Sequence, residues 1–146
     1  MITEAKRRLV MVDDDPEDIL LVKTAIRRAD IPLEVISLYD GDALFDYLND
    51  IIDEGSLPNE VPPLIIFLDL NLPRLDGRKC LQRLKSNPNW VDLPILIFST
   101  SDAPDDIRRC YELNANSYIS KPDDPKALDN ILNSVYQYWF GDRSKA

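Results

Sequence analysis

Four short stretches of this chain are apolar or nearly so, and each is followed at once by a polar residue. They are Leu9-Val10-Met11-Val12 before Asp13, Leu64-Ile65-Ile66-Phe67-Leu68 before Asp69, Ile95-Leu96-Ile97-Phe98 before Ser99, and the less apolar Ser117-Tyr118-Ile119-Ser120 before Lys121. Runs of four or five residues are strand-length. Their lack of polar alternation means burial on both faces, as in a parallel sheet. Polar residues at the carboxyl ends of such strands converge on one edge of the sheet, where open α/β folds place their sites. Asp13, Asp14, Asp69, Ser99 and Lys121 would meet there. Three carboxylates, a hydroxyl and an ammonium suit a divalent metal and a phosphoryl group.

Helical segments separate the strands. Asp15-Pro16 reads as an N-cap and a first helical residue, with Ile19, Val22, Ile26 and Ala29 on one face up to Asp30. Leu33 to Leu38 is a second strand. Asp40 can cap a helix carrying Ala43, Leu44, Tyr47, Leu48 and Ile51. Residues 53–63, with a glycine and three prolines, read as a long loop. A helix over about Asp76 to Ser86 turns Leu81 and Leu84 inward and stops at Asn87-Pro88. Asp102 can cap a helix with Ile107, Cys110 and Tyr111, which the chain leaves through a left-handed Asn114. Leu128, Ile131, Leu132, Val135 and Trp139 form the stripe of a last helix. The order βαβαβαβαβα predicts an α/β fold with right-handed crossovers and a parallel sheet covered on both faces. At 146 residues the expectation is one domain, with a core over about 9–139 and no output domain.

Several function classes are disfavoured. A net charge of −9 argues against nucleic acid, whose phosphates want a basic stripe; the only basic run, Lys6-Arg7-Arg8, reads as a solvated lead-in. The chain has no histidine, which removes the Ser-His-Asp triad and histidine-bearing zinc sites. Cys80 and Cys110 lack metal or CxxC spacing and read as half-buried hydrophobes in a reducing compartment. No apolar run approaches membrane-spanning length. The expected location is the cytoplasm.

The motifs Val12-Asp13-Asp14, Leu68-Asp69-Leu70-Asn71-Leu72-Pro73 with Asp76-Gly77, Phe98-Ser99-Thr100-Ser101 and Tyr118-Ile119-Ser120-Lys121-Pro122 occur in order, each at a strand end. In these the chain resembles a response-regulator receiver domain over Leu9 to Trp139. The resemblance implies a flavodoxin-like (βα)5 doubly wound sheet of order 2-1-3-4-5. It implies Asp69 as phosphoacceptor and Mg2+ as cofactor, with Asp14, Asp69 and the Asn71 backbone carbonyl as ligands and Asp13 acting through water. Magnesium chemistry agrees, since the ion prefers one or two carboxylates plus waters and substrate oxygens. Three clustered carboxylates also repel, by about 4 kcal/mol for a pair about 4 Å apart at an effective dielectric near 20. The resemblance further implies that Lys121 holds phosphoryl oxygens, aimed inward by a cis Lys121-Pro122 bond. Ser99 becomes the switch hydroxyl and Tyr118 the aromatic whose rotamer reports it. Thr100 stands where the family prefers a smaller residue.

Closer resemblance is to single-domain receivers paired with phytochrome-type histidine kinases, carried by residues 68–73 and 98–101, the 53–63 loop and the aromatic ending Tyr136, Tyr138, Trp139, Phe140. It implies a sensor histidine kinase as donor and output by protein contact, with no enzymatic turnover of an outside substrate. Tyr138 and Phe140 fall off the last helix's core stripe, so a contact surface is expected there; the resemblance to receivers, which often pair through the fourth helix, fifth strand and fifth helix, implies a homodimer through that face. A rival is a Mg-dependent phosphohydrolase with an aspartate nucleophile. That class wants a second acid where Asn71 stands, and its nucleophile on the first strand. A flavin-binding module of the same fold would want Ser, Thr or Gly where Asp13-Asp14-Asp15 stands.

Overall fold

The computed structural model describes residues 7–53 and 63–141; most of the predicted loop, and Lys6, lie outside them. Five strands alternate with five helices: β1 (Arg8–Val12), α1 (Pro16–Arg28), β2 (Glu34–Leu38), α2 (Gly41–Asp53), β3 (Leu64–Leu68), α3 (Gly77–Ser86), β4 (Ile95–Ser99), α4 (Pro104–Glu112), β5 (Ser117–Ser120) and α5 (Pro125–Phe140). All strand pairs are parallel, in the order β2-β1-β3-β4-β5. The expected flavodoxin-like architecture and strand order are both observed.

Side chains alternate between two cores, because successive strand residues point to opposite faces. Val10, Val12, Ile66, Leu68, Ile95 and Ile97 join Leu44, Leu48, Leu81 and Leu84 on one face. Leu9, Met11, Ile65, Phe67, Leu96 and Phe98 join Ile19, Val22, Leu128 and Leu132 on the other. Burial on both sides is why these strands read as unbroken apolar runs. Phe45, outside the stripe expected for α2, is also buried and packs on Trp90, ring centroids 5.5 Å apart.

Local signals set most boundaries. Asp15 caps α1, accepting from the Glu17 N–H, with Pro16 in the first turn. Asp76 caps α3, and Asp40 accepts from the Ala43 N–H at 2.8 Å. Asn114 has φ 70°, as expected for the exit from α4. Asp102 is not the cap of α4. The cap position falls to Ala103, because Pro104 opens the helix one residue later. Ser101 accepts from the Ala103 N–H and donates to Asp106 at 2.6 Å, so this turn is closed from Ser101 instead. Both cysteines are free and fully buried, deeper than the half-buried positions expected, and burial pushes the Cys80 thiol up to about 11.

The aromatic ending divides. Tyr138 is 64% exposed. Phe140 is half-buried on the second core, its ring 5.8 Å from that of Tyr136 and 5.7 Å from the Arg7 guanidinium. The expected exposed pair is therefore corrected to Tyr138 alone, since the chain just before β1 supplies Phe140 with partners that the helical stripe does not show. Among the described residues, no helix is long and apolar enough to cross a membrane.

Candidate functional site

The sheet hydrogen bonding runs one residue past the strands, and this brings the site together. The Asp13 N–H donates to the Leu38 carbonyl and the Asp69 N–H to the Val12 carbonyl, both at 3.0 Å; the Lys121 N–H donates to the Ser99 carbonyl at 2.7 Å. Among the described residues, Asp13, Asp69 and Ser99 are the buried polar ones, at 1%, 6% and 0% exposure. Asp14 is exposed at the mouth. Oxygens of Asp13, Asp14 and Asp69 all lie within 4.8 Å of one another.

Lys121 closes this cluster. Its ammonium lies 2.8 Å from Asp13 Oδ2 and 3.2 Å from Asp69 Oδ2. A third carboxylate, Asp18 Oδ2, is 2.7 Å away. Sequence reading missed Asp18: in the first turn of α1 it looks like ordinary compensation of the helix dipole. Burial pushes Asp13 up to about 6, with the Lys121 ammonium and the Asp15 N–H pulling the other way. Burial by itself would lower Lys121, but the carboxylates around it outweigh that and hold it above its ordinary value.

The Lys121-Pro122 bond is not cis; no cis peptide occurs among the described residues. The trans form of an X-Pro bond is favoured by about 0.5–1 kcal/mol. The lysine needs no cis bond to point inward, because three carboxylates draw its ammonium there.

The residues suit a divalent cation and an oxyanion. The cluster offers only hard carboxylate oxygens, the ligands of Mg2+, Mn2+ and Ca2+. The Asn71 N–H donates to Asp69 Oδ1 at 3.2 Å, keeping the next turn against the carboxylate. The Ser99 hydroxyl is buried and finds no hydrogen-bond partner among the described residues. An unpaired buried hydroxyl is costly, and a ligand oxygen at this edge would relieve it. Thr100 is exposed beside it.

Behind Ser99 runs a second network. The Tyr118 hydroxyl donates to the Ser101 carbonyl at 2.8 Å and its ring packs against the first core, so the ring is turned inward. Ser101 donates to Asp106, which Arg78 of α3 also engages; Arg78 in turn contacts Asp76. The Arg78–Asp106 link was not legible in sequence, since both residues are ordinary for exposed helix turns.

The strand order and this lysine-closed acidic edge together mark the receiver class. The profile of the response regulator receiver domain family matches residues 9–133, and the chain belongs to that family, the receiver modules of two-component signalling. Response regulator Rcp1 of Synechocystis sp. is 34% identical over 131 residues, covering 90% of this chain and 87% of Rcp1. The crystal structure of its Mn2+-bound form is similar with a TM-score of 0.74, at 33% identity and covering 90% of this chain and 93% of that one. The phosphorylated cyanobacterial phytochrome response regulator RcpA gives 0.76 at 34% identity, covering 94% of each chain. RPA3017, a response regulator in red light signalling of R. palustris, gives 0.80 at 28% identity, covering 92% of this chain and 94% of its own.

Proposed function

We propose that this receiver accepts a phosphoryl group on Asp69 from a sensor histidine kinase, with Mg2+ bound, and thereby switches a protein-interaction surface. One observation carries the reading: the buried Asp69 carboxylate is offered at once to the Lys121 ammonium and to the Asp13–Asp14 pair. A carboxylate so placed can attack phosphorus while charge on the phosphoryl oxygens is neutralised. An Asp69 oxygen bonds to phosphorus as the phosphorus–nitrogen bond of the donor phosphohistidine breaks. The imidazole nitrogen leaves with the electron pair and takes a proton from solvent.

Asp14, Asp69 and the Asn71 carbonyl would hold the metal, with Asp13 bound through water, and bound Mg2+ supplies positive charge at the phosphoryl oxygens. Lys121 supplies the second cation. Ser99, whose hydroxyl is unpartnered, donates to a phosphoryl oxygen and draws the segment after β4 inward. Thr100 beside it narrows the approach of water. Tyr118, held on the Ser101 carbonyl, reports that movement to α4, β5 and α5, the face through which a target or a second copy binds. The chain acts as a signalling phosphoacceptor in the cytoplasm, not as an enzyme on an outside substrate. Relatives assigned to phytochrome and red-light signalling support a phytochrome-type kinase as donor.

The test is phosphotransfer. With Mg2+ and acetyl phosphate the protein should gain one phosphoryl group, and Asp69→Asn should gain none. Undiminished labelling of an aspartate in Asp69→Asn would remove the assignment.

A further inference from the structure

We propose that Asp18 is a resting-state ligand of Lys121 that competes with the incoming phosphoryl group and so sets how readily the site is occupied. The inference rests on the phosphoacceptor reading above. An ammonium has three N–H donors, and three carboxylates surround this one, with Asp18 at 2.7 Å, Asp13 at 2.8 Å and Asp69 at 3.2 Å. The ammonium donates hydrogen bonds to Asp18 and Asp69 and lies in charge contact with Asp13, so a phosphoryl oxygen approaching Lys121 competes with these carboxylates for it.

Their surroundings decide which one yields. The Asp13 side chain is 1% exposed, so bulk water cannot replace the ammonium beside it. Asp69 is the reacting group and becomes part of the acyl phosphate. The Asp18 side chain is 25% exposed. It stands in the first turn of α1, where water and the helix N-terminus can take over its charge. Asp18 is thus the carboxylate that gives way at least cost. While it stays, it both occupies a lysine proton and repels an arriving anion. Its 2.7 Å contact spans 103 residues of sequence, which separates it from the neighbouring first-turn acid Glu17, an exposed residue.

Titration of the full chain with beryllofluoride at saturating Mg2+, followed by 19F NMR, reads the competition without turnover. Asp18→Asn, which keeps the shape and removes the charge, should bind beryllofluoride more tightly by about two- to fivefold, the range a partly exposed ion pair supports. Asp18→Ala should shift in the same direction, and Glu17→Gln should not shift. A residue needed only for structure would lose affinity when changed. Equal or weaker binding in both Asp18 variants, or equal tightening in Glu17→Gln, overturns the competition while leaving the phosphoacceptor reading intact. A wild-type protein that takes no beryllofluoride overturns that reading and this inference with it.

Discussion

Gly77 opens α3 directly beneath the backbone of Asp69, so close that a Cβ on Gly77 would stand 2.2 Å from the Asp69 carbonyl oxygen. The Gly77 N–H also donates to the Leu70 carbonyl at 3.0 Å. The first residue of one helix therefore fixes the turn that carries the candidate phosphoacceptor. Within a helix, Gly→Ala ordinarily stabilises, by up to about 1 kcal/mol. Gly77→Ala should instead destabilise by about 1–3 kcal/mol, the usual cost of overpacking, and should also slow phosphorylation. Urea unfolding gives the sign, and a stabilised variant would contradict the close contact.

Ser99→Ala separates stability from switching. The hydroxyl it removes is buried and unpaired, so unfolding free energy should stay within about 1 kcal/mol of wild type or rise. Phosphorylation should persist, but the Tyr118 ring resonances should no longer respond to it. A large loss of stability would show that the hydroxyl has a partner in solution.

Charge in the acidic cluster should make the protein's melting temperature depend on Mg2+ through mass action. Asp14→Asn removes one carboxylate from a group whose oxygens lie within 4.8 Å. In chelator it should melt higher than wild type, and with millimolar Mg2+ its gain should be smaller. Identical curves for both proteins, with and without the ion, would speak against the pocket.

Acid should weaken the link between α3 and α4. The Ser101 hydroxyl and then Arg78 hold the Asp106 carboxyl below the usual carboxylate range. A carboxylate depressed on folding contributes stability above its unfolded value, and that contribution disappears as pH falls through its folded value. Asp106→Asn should therefore be less stable than wild type near neutrality, and the two should converge below the carboxylate range. A difference that stays constant with pH would mean that Asp106 acts through shape alone.

Tyr138 and Phe140 should behave differently. Tyr138→Ala, at an exposed position, should change stability by no more than about 0.5 kcal/mol. Phe140→Ala, which uncovers part of the second core, should cost on the order of 1–2 kcal/mol. If the α4, β5 and α5 face carries the output, sedimentation or partner binding should respond to Tyr138→Ala. An unaffected association would remove that tyrosine from the interface.

The apolar runs, the spacing of the helical stripes and the residues after each strand determined the element order, the parallel sheet and the meeting of Asp13, Asp69, Ser99 and Lys121 at one edge. Those are local consequences of burial on two faces and of side-chain period, so they can be read one segment at a time. The strand order and the individual roles came from family resemblance. Tertiary structure decided what depends on neighbours distant in sequence. Asp18 reaches Lys121 across 103 residues. Arg78 reaches Asp106 across 28, and Phe140 finds Arg7 beside β1. The Lys121-Pro122 bond is trans because the small intrinsic preference is not opposed: three carboxylates already draw the ammonium inward. Charge pairing and edge packing of this kind have no periodicity, and only the folded chain brings the partners together.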